Sequence, residues 1–412
     1  MLFGGNRVRV LQINSVCGVG STGRIATDIH QILLEQGYES YIAYGRGEAL
    51  NCDNAIKIGN KFDNYAHVAK TRILDRHGFG SKKATLEFIR KIEELNPDII
   101  HLHNIHGYYI NIEILFDYLK KANKPVVWTL HDCWSFTGHC SYFDYVGCTK
   151  WKDGCYDCPE KKEYPTSLLM DSSKSNYNQK KEIFTDIENL IIITPSKWLA
   201  SLVKESFLRE YPVKVINNGI DLDIFKPTNS NFIEKNNLED KFIILGVASI
   251  WERRKGLNYF LKLANEIEKD EIIVLVGVTE KQKKTFPSNI LGITRTNNVQ
   301  ELAELYAVAD VFVNPTLEDN FPTTNLEALA CETPVVGFAT GGSIESIEAG
   351  NGIIVEKENL EHLLKSIKKV KDNDAFQPSL ERVQRLYDKD IKFHEYIELY
   401  KSVKSISFLR VE

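Results

Sequence analysis

The chain has 412 residues, with 51 Lys and Arg against 56 Asp and Glu, a formal charge of −5 and 43% hydrophobic residues. That length corresponds to two or three domains at roughly 100–200 residues each, and the slight acidity excludes bulk nucleic-acid binding through massed Lys and Arg. The opening residues lack the order of a secretory signal and no apolar run approaches the ~18 residues of a spanning helix, so the sequence predicts a cytoplasmic chain.

Short apolar runs alternate with helical patterns through the first half. Val8–Ile13 reads as a strand, Ile25–Gln36 as an amphipathic helix stopped by Gly37, and Tyr41–Tyr44 as the next strand. Leu86–Leu95 is a predicted helix ended before Pro97, followed by strands at Ile99–Leu102 and Val126–Leu130. Strand and helix in strict alternation imply parallel βαβ units. Strands resume at Leu190–Thr194 and Val213–Ile216. The polar, Asn-rich run 226–240 is a predicted linker. Beyond it come a strand at Phe242–Val247, a helix at Leu257–Glu268, strands at Ile272–Val276, Val311–Val313 and Pro334–Phe338, and helices at Val299–Ala307 and Leu326–Ala330. A last helix, Ile391–Val403, is expected to return to the first half.

Between 132 and about 174 this periodicity is absent, and five of the eight cysteines fall between Cys133 and Cys158. A connection that long without secondary structure normally signals function. In a reducing compartment clustered cysteines bind metal more often than they pair. Cys140, Cys148, Cys155 and Cys158 end in a C-x₂-C knuckle, and four thiolates suit a tetrahedral structural zinc; buried free thiols, disulfides or an iron–sulfur cluster are the other readings.

Three segments carry chemistry. Gly18-Val19-Gly20-Ser21-Thr22-Gly23 lies between the first strand and helix, where glycines allow close backbone approach to an anion; Gly20 and Ser21 are read as donor contacts. The spacing departs from the dinucleotide fingerprint, which argues against a nicotinamide cofactor. Arg253-Arg254-Lys255 follows a strand end, where Arg forks and a Lys point charge can neutralise a diphosphate. Glu318, Asp319, Asn320, Thr323, Thr324, Asn325 and Glu327 span a strand-to-helix loop and offer carboxylate, hydroxyl and amide groups to a sugar or ribose. His131 follows the strand Val126–Leu130, and His101, His103 and His106 suggest a polar wall on the acceptor side rather than a metal set.

Together with Asn217-Asn218-Gly219-Ile220-Asp221, these motifs resemble the GT4 family of retaining glycosyltransferases of GT-B fold, and the Glu318–Pro322 segment with the cysteine-rich stretch is similar to the colanic-acid-type polysaccharide enzymes. The resemblance implies two Rossmann-like, doubly wound α/β domains facing a central cleft: an acceptor-binding domain over 1–225 with the cysteine-rich insertion, a nucleotide-sugar-binding domain over 226–385, and a C-terminal helix over 386–412. It implies that Lys255 contacts the donor diphosphate, Glu327 the ribose, and His131 and Asp319 the reacting sugar. Asp319 stands where the family usually has Glu, with Glu318 one residue away as the alternative, and Ser249 stands where many members carry an arginine.

The expected activity is metal-independent transfer, with retention, from a nucleotide sugar to a saccharide or lipid-linked saccharide, without nucleic acid and with peripheral association at the inner membrane face. A nucleotide-sugar epimerase of similar architecture, and a binding protein built on the cysteine module, are the alternatives.

Overall fold

Apolar runs of three to six residues become the strands of two separate parallel sheets. The computed structural model describes residues 7–373 and 376–409. It divides into one unit comprising the residues up to Asn217 with those from Lys392, and a second comprising Asn218–Ile391.

The first unit holds β1 (Arg9–Asn14), β2 (Glu39–Tyr44), β3 (Ala55–Lys57), β4 (Ile99–Leu102), β5 (Val126–Thr129), β6 (Leu190–Thr194) and β7 (Val213–Val215), in the spatial order β3-β2-β1-β4-β5-β6-β7. Every pairing is parallel. Successive strand residues point to opposite faces. Leu11, Ile100, Leu102 and Trp128 therefore pack with the helices Lys82–Leu95, Ile112–Ala122 and Ser173–Phe184. The intervening Val10, Ile99 and Val127 pack with Gly20–Glu35 and with Phe393, Ile397 and Tyr400 of the last helix, Lys389–Leu409. A sheet buried on both faces needs such continuous apolar runs. Trp128 is fully buried, with ring centroids 5.4 Å from Phe116 and 5.0 Å from Phe184; truncation to alanine should remove roughly 3–5 kcal/mol.

The second unit repeats the plan with β8 (Phe242–Val247), β9 (Glu271–Val276), β10 (Ile290–Ile293), β11 (Val311–Asn314), β12 (Val335–Phe338) and β13 (Gly352–Val355), in the order β10-β9-β8-β11-β12-β13. Each sheet reverses direction once, between β1 and β4 and between β8 and β11. Ligands of open α/β sheets bind at the carboxyl ends of strands at such reversals.

Several boundaries differ from the sequence expectation. The first helix starts at Gly20 rather than Ile25, because Gly20–Arg24 carry no apolar period by which to read it. The helix Lys61–Leu74 has no apolar stripe, its buried residues being His67 and Thr71, and only its Asn60–Asp63 capping box marks it. The helix from Leu257 ends at Leu263. The division between units falls at Asn217–Asn218, and the polar run 226–240 lies within the second unit and contains the helical turn Phe232–Asn236. Between β5 and Ser173 the only regular structure is two 3₁₀ turns, Trp134–Phe136 and Lys150–Lys152. That segment is pinned by Lys180, whose buried ammonium donates to the Thr137 carbonyl at 2.8 Å and sits 3.6 Å over the Trp134 ring.

Candidate active site

The loops after β8 and β11 meet at the reversal point of the second sheet. Arg253–Lys255 forms a 3₁₀ turn ending at Gly256, which has φ +77°. A β-carbon on Gly256 would stand 2.2 Å from the Pro315 carbonyl oxygen, so only glycine lets the basic turn lie against the acidic loop. The Leu317 amide donates to the Arg254 carbonyl at 2.8 Å, and Arg254 Nη1 donates to the Glu318 carbonyl at 2.9 Å. Lys255 Nζ lies 2.6 Å from Asp319 Oδ2, the two side chains being 24% and 12% exposed. Asp319 Oδ1 accepts the Asn320 amide at 2.9 Å. Burial works to raise the Asp319 carboxyl, but the nearby Lys255 and Arg254 outweigh it and hold it below the ordinary value. The result is a fixed, ionised pair with a second cation beside it, while Arg253 is exposed.

Further along the loop, Thr323 and Thr324 open the helix Thr323–Ala330 and are partly exposed. Asn325 is fully buried: its amide nitrogen donates to the Ser343 carbonyl at 3.1 Å and its oxygen accepts from Asn314 at 2.7 Å. It braces the loop from within. Glu327 is also buried, and its Oε2 accepts the Tyr306 hydroxyl at 2.9 Å.

At the carboxyl edge of the first sheet the imidazoles of His103 and His131 are kept neutral, beside an Asp132 carboxyl that is held below its ordinary value despite burial. His131 Nε2 lies 3.2 Å from His103 Nδ1, and His103 Nε2 lies 3.0 Å from Gln12 Oε1. Burial pushes the His131 imidazole down to about 4 and His103 well below its ordinary value. His106 and Asp132 pair at 3.0 Å, and His106 also meets the Tyr164 hydroxyl at 3.1 Å. Gly20 and Ser21 stand exposed in the first turn of their helix. Sequence reasoning places His103 in a polar wall on the acceptor side but does not single out Gln12. The available signal is a glutamine between the apolar Val10, Leu11 and Ile13.

The cysteines correct an expectation. Cys140, Cys148, Cys155 and Cys158 do line one cavity, of about 10 Å³, yet among the described residues no three His, Cys, Asp or Glu side chains are grouped so as to hold a metal ion. Their sulfurs are spent otherwise. The Cys140 thiol, hydrogen-bonded to Cys158 and buried, is pushed well up. Cys155 Sγ accepts the Gly138 amide at 3.1 Å, and burial raises its thiol to about 11. Cys140 and Cys155 pack with Phe136, Phe143 and Trp151 as small apolar groups.

Comparison with known proteins gives concordant answers. Residues 22–224 match the family described as Glycosyltransferase Family 4, and residues 241–373 match Glycosyl transferases group 1. A protein of Escherichia coli K12 named as the colanic acid biosynthesis glycosyl transferase WcaC is 26% identical, with 96% of this chain and 100% of that one covered. The chain belongs to glycosyltransferase family 4. Among solved structures, sucrose-phosphate synthase of Thermosynechococcus elongatus superposes with a TM-score of 0.71 at 16% identity over 97% of this chain and 100% of that one. Anabaena HepE in complex with UDP gives 0.68 at 13% identity, over 96% and 100%. Both share the fold of this glycosyltransferase. Within it, Arg254, Lys255, Glu318, Asp319 and Asn320 come together in the second unit, and His131 joins His103 in the first.

Proposed function

We propose that this glycosyltransferase moves a sugar, with retention, from a nucleotide sugar held by the second unit to a saccharide held by the first. The observation that carries this reading is the Lys255–Asp319 pair beside Arg254, at the carboxyl edge of β8 and β11. Breaking the glycosyl bond leaves positive charge on the sugar ring and negative charge on the departing diphosphate. Lys255 and the two arginines stabilise the diphosphate by charge-assisted hydrogen bonds already in position. Asp319 holds the ammonium in place before the donor arrives and borders the transferred sugar, Glu327 takes the ribose hydroxyls, and Thr323 and Thr324 border the phosphates. The leaving phosphate accepts the acceptor's proton, and no protein carboxylate forms a bond to the sugar. Since cations of the chain meet the developing charge, transfer is expected to run undiminished in a chelator. Lys255→Ala should lower turnover at saturating donor by about 10²–10³-fold with the fold intact; near-wild-type turnover overturns the assignment.

The name of the Escherichia coli relative places that protein in colanic acid biosynthesis, which supports a role in bacterial surface polysaccharide assembly, on a lipid-linked acceptor at the inner membrane face. No helix among the described residues is long and apolar enough to cross a membrane. Instead Ile73, Leu74, Leu168, Leu169 and Met170 are exposed together, tied by hydrogen bonds from the Leu168 amide to the Arg72 carbonyl and from the Met170 amide to the Ile73 carbonyl. Such an apolar patch suits peripheral attachment. Sedimentation with phosphatidylglycerol vesicles checks this, Leu168→Glu/Leu169→Glu being expected to release the protein. Ranking nucleotide sugars by the rise in melting temperature they cause identifies the donor.

A further inference from the structure

Arg46 and Arg72 are exposed, and among the described residues neither guanidinium meets a carboxylate. Other arginines of the first unit are engaged: Arg9 pairs with Glu39, and Arg76 donates to Asn176 and Gln179. Arg46 leaves the carboxyl end of β2, where its amide donates to the Ser15 carbonyl at 2.9 Å. Its guanidinium carbon lies 5.8 Å from the centroid of the Tyr108 ring, within reach of a cation–π contact. Tyr108 holds a left-handed φ of +69°, rare for an aromatic residue, and its ring stands edge-on to Tyr164 at 6.1 Å. Burial raises the Tyr108 hydroxyl while Arg72 and Arg46 both pull against it, so the two cations lie near one phenol. On one side this group runs into the reacting edge, because the Tyr164 hydroxyl meets His106 at 3.1 Å and His106 meets Asp132 at 3.0 Å. On the other it runs into the apolar patch: the Arg72 carbonyl accepts the Leu168 amide at 2.7 Å, and Ile73 is the next residue.

We propose that Arg46 and Arg72 bind the diphosphate of a saccharide linked to a long-chain isoprenoid diphosphate. Such a diphosphate carries two negative charges at neutral pH, one for each guanidinium, and the arginine fork matches phosphate oxygens. Reacting edge, cations and apolar patch follow one another on this unit, which is the order of saccharide, diphosphate and lipid in that molecule. The saccharide reaches the edge at His106 and Asp132, and the isoprenoid chain lies on Ile73 and Leu168–Met170. Cations that served phospholipid headgroups alone would have no cause to gather at Tyr108 and Tyr164, beside the reacting edge. That the ligand is an acceptor rests on the transferase reading; that it binds here does not.

Calorimetric titration of the full chain with farnesyl diphosphate, below the concentration at which it forms micelles, tests the site. The chain carries Arg254→Ala/Lys255→Ala, so that the cations of the second unit do not take up the probe. Adding Arg46→Gln/Arg72→Gln, both at exposed positions, should weaken binding by about tenfold or more, each tenfold being about 1.4 kcal/mol. Inorganic diphosphate should bind more weakly than farnesyl diphosphate, and farnesol should bind weakly and equally with or without the arginines. Unchanged affinity for farnesyl diphosphate in the arginine variant overturns the proposal, as does inorganic diphosphate binding as tightly as the isoprenoid. Sedimentation with phosphatidylglycerol vesicles separates the other source of phosphate. If the arginine variant is released from vesicles as fully as Leu168→Glu/Leu169→Glu yet keeps its farnesyl diphosphate, the arginines serve headgroups and the proposal falls. Protein that binds farnesyl diphosphate through both arginines, while the wild type transfers sugar from no nucleotide sugar, upholds the site and refutes the transferase reading. Transfer by the wild type, with farnesyl diphosphate binding indifferent to the arginines, does the reverse.

Discussion

The two sheets carry the same strand plan and opposite chemistry at their carboxyl edges. In the second unit a partly exposed ammonium and carboxylate pair at 2.6 Å beside a second cation. In the first, His101, His103 and His131 are kept neutral by burial and joined to amide and hydroxyl partners. A doubly wound sheet dictates where a ligand binds but not what it is. The ionised edge suits a group that arrives charged, and the neutral edge suits hydroxyls, which need direction more than charge.

Removing charge from the ionised edge should have the largest effect. Arg254→Ala/Lys255→Ala is expected to reduce kcat/KM by about three orders of magnitude or more, and loss of calorimetric nucleoside-diphosphate binding should accompany it. If His131→Ala abolished diphosphate binding to the same degree, the contrast between the edges would collapse. Asp319→Asn keeps the shape but frees the ammonium, so roughly tenfold slower turnover is expected. Because Lys255 and Arg254 hold Asp319 below its ordinary value, its stabilising contribution is complete above about pH 4 and is lost only as pH falls through the lowered value.

The neutral edge has the opposite signature. His101 is held near 3 and His131 near 4, against about 6.5 for an unfolded histidine. Between those values the unfolded chain binds more protons, so stability is complete above about pH 6.5 and falls as pH drops, by up to about 1.4 kcal/mol per pH unit for each ring. Urea unfolding at pH 5, 6 and 7 measures this, and a flat profile would mean that these rings are not held neutral. The smallest effect is expected for Tyr306→Phe, which removes the hydroxyl held by Glu327; about 1 kcal/mol in donor affinity should show in KM with kcat nearly unchanged.

What was legible in sequence was whatever lies close along the chain. The strands announce themselves as apolar runs because they are covered on both faces, and Arg254-Lys255-Gly256 is read because its cations and their hinge are adjacent. Long-range partnerships left weaker marks. Nothing local says that Asn325 turns inward to Ser343 and Asn314, or that the Gln12 oxygen faces His103 across the sheet. The cysteines misled for the same reason: their spacing suits a metal, but whether sulfurs converge as ligands or pack as apolar groups is decided by Phe143, Trp151 and the Gly138 amide around them.

The order in which the chain is made gives the last helix a further meaning. Residues from Lys392 onward follow the whole second unit in sequence, yet they supply Phe393, Tyr396, Ile397 and Tyr400 to one face of the first sheet and the hydroxyl that bonds His101. During synthesis, Val10, Ile99 and Val127 therefore lack those side chains until the second unit has emerged from the ribosome. The first unit is begun first and finished last, and its face of exposed strands is the stretch of nascent chain on which a chaperone would have the longest time to act.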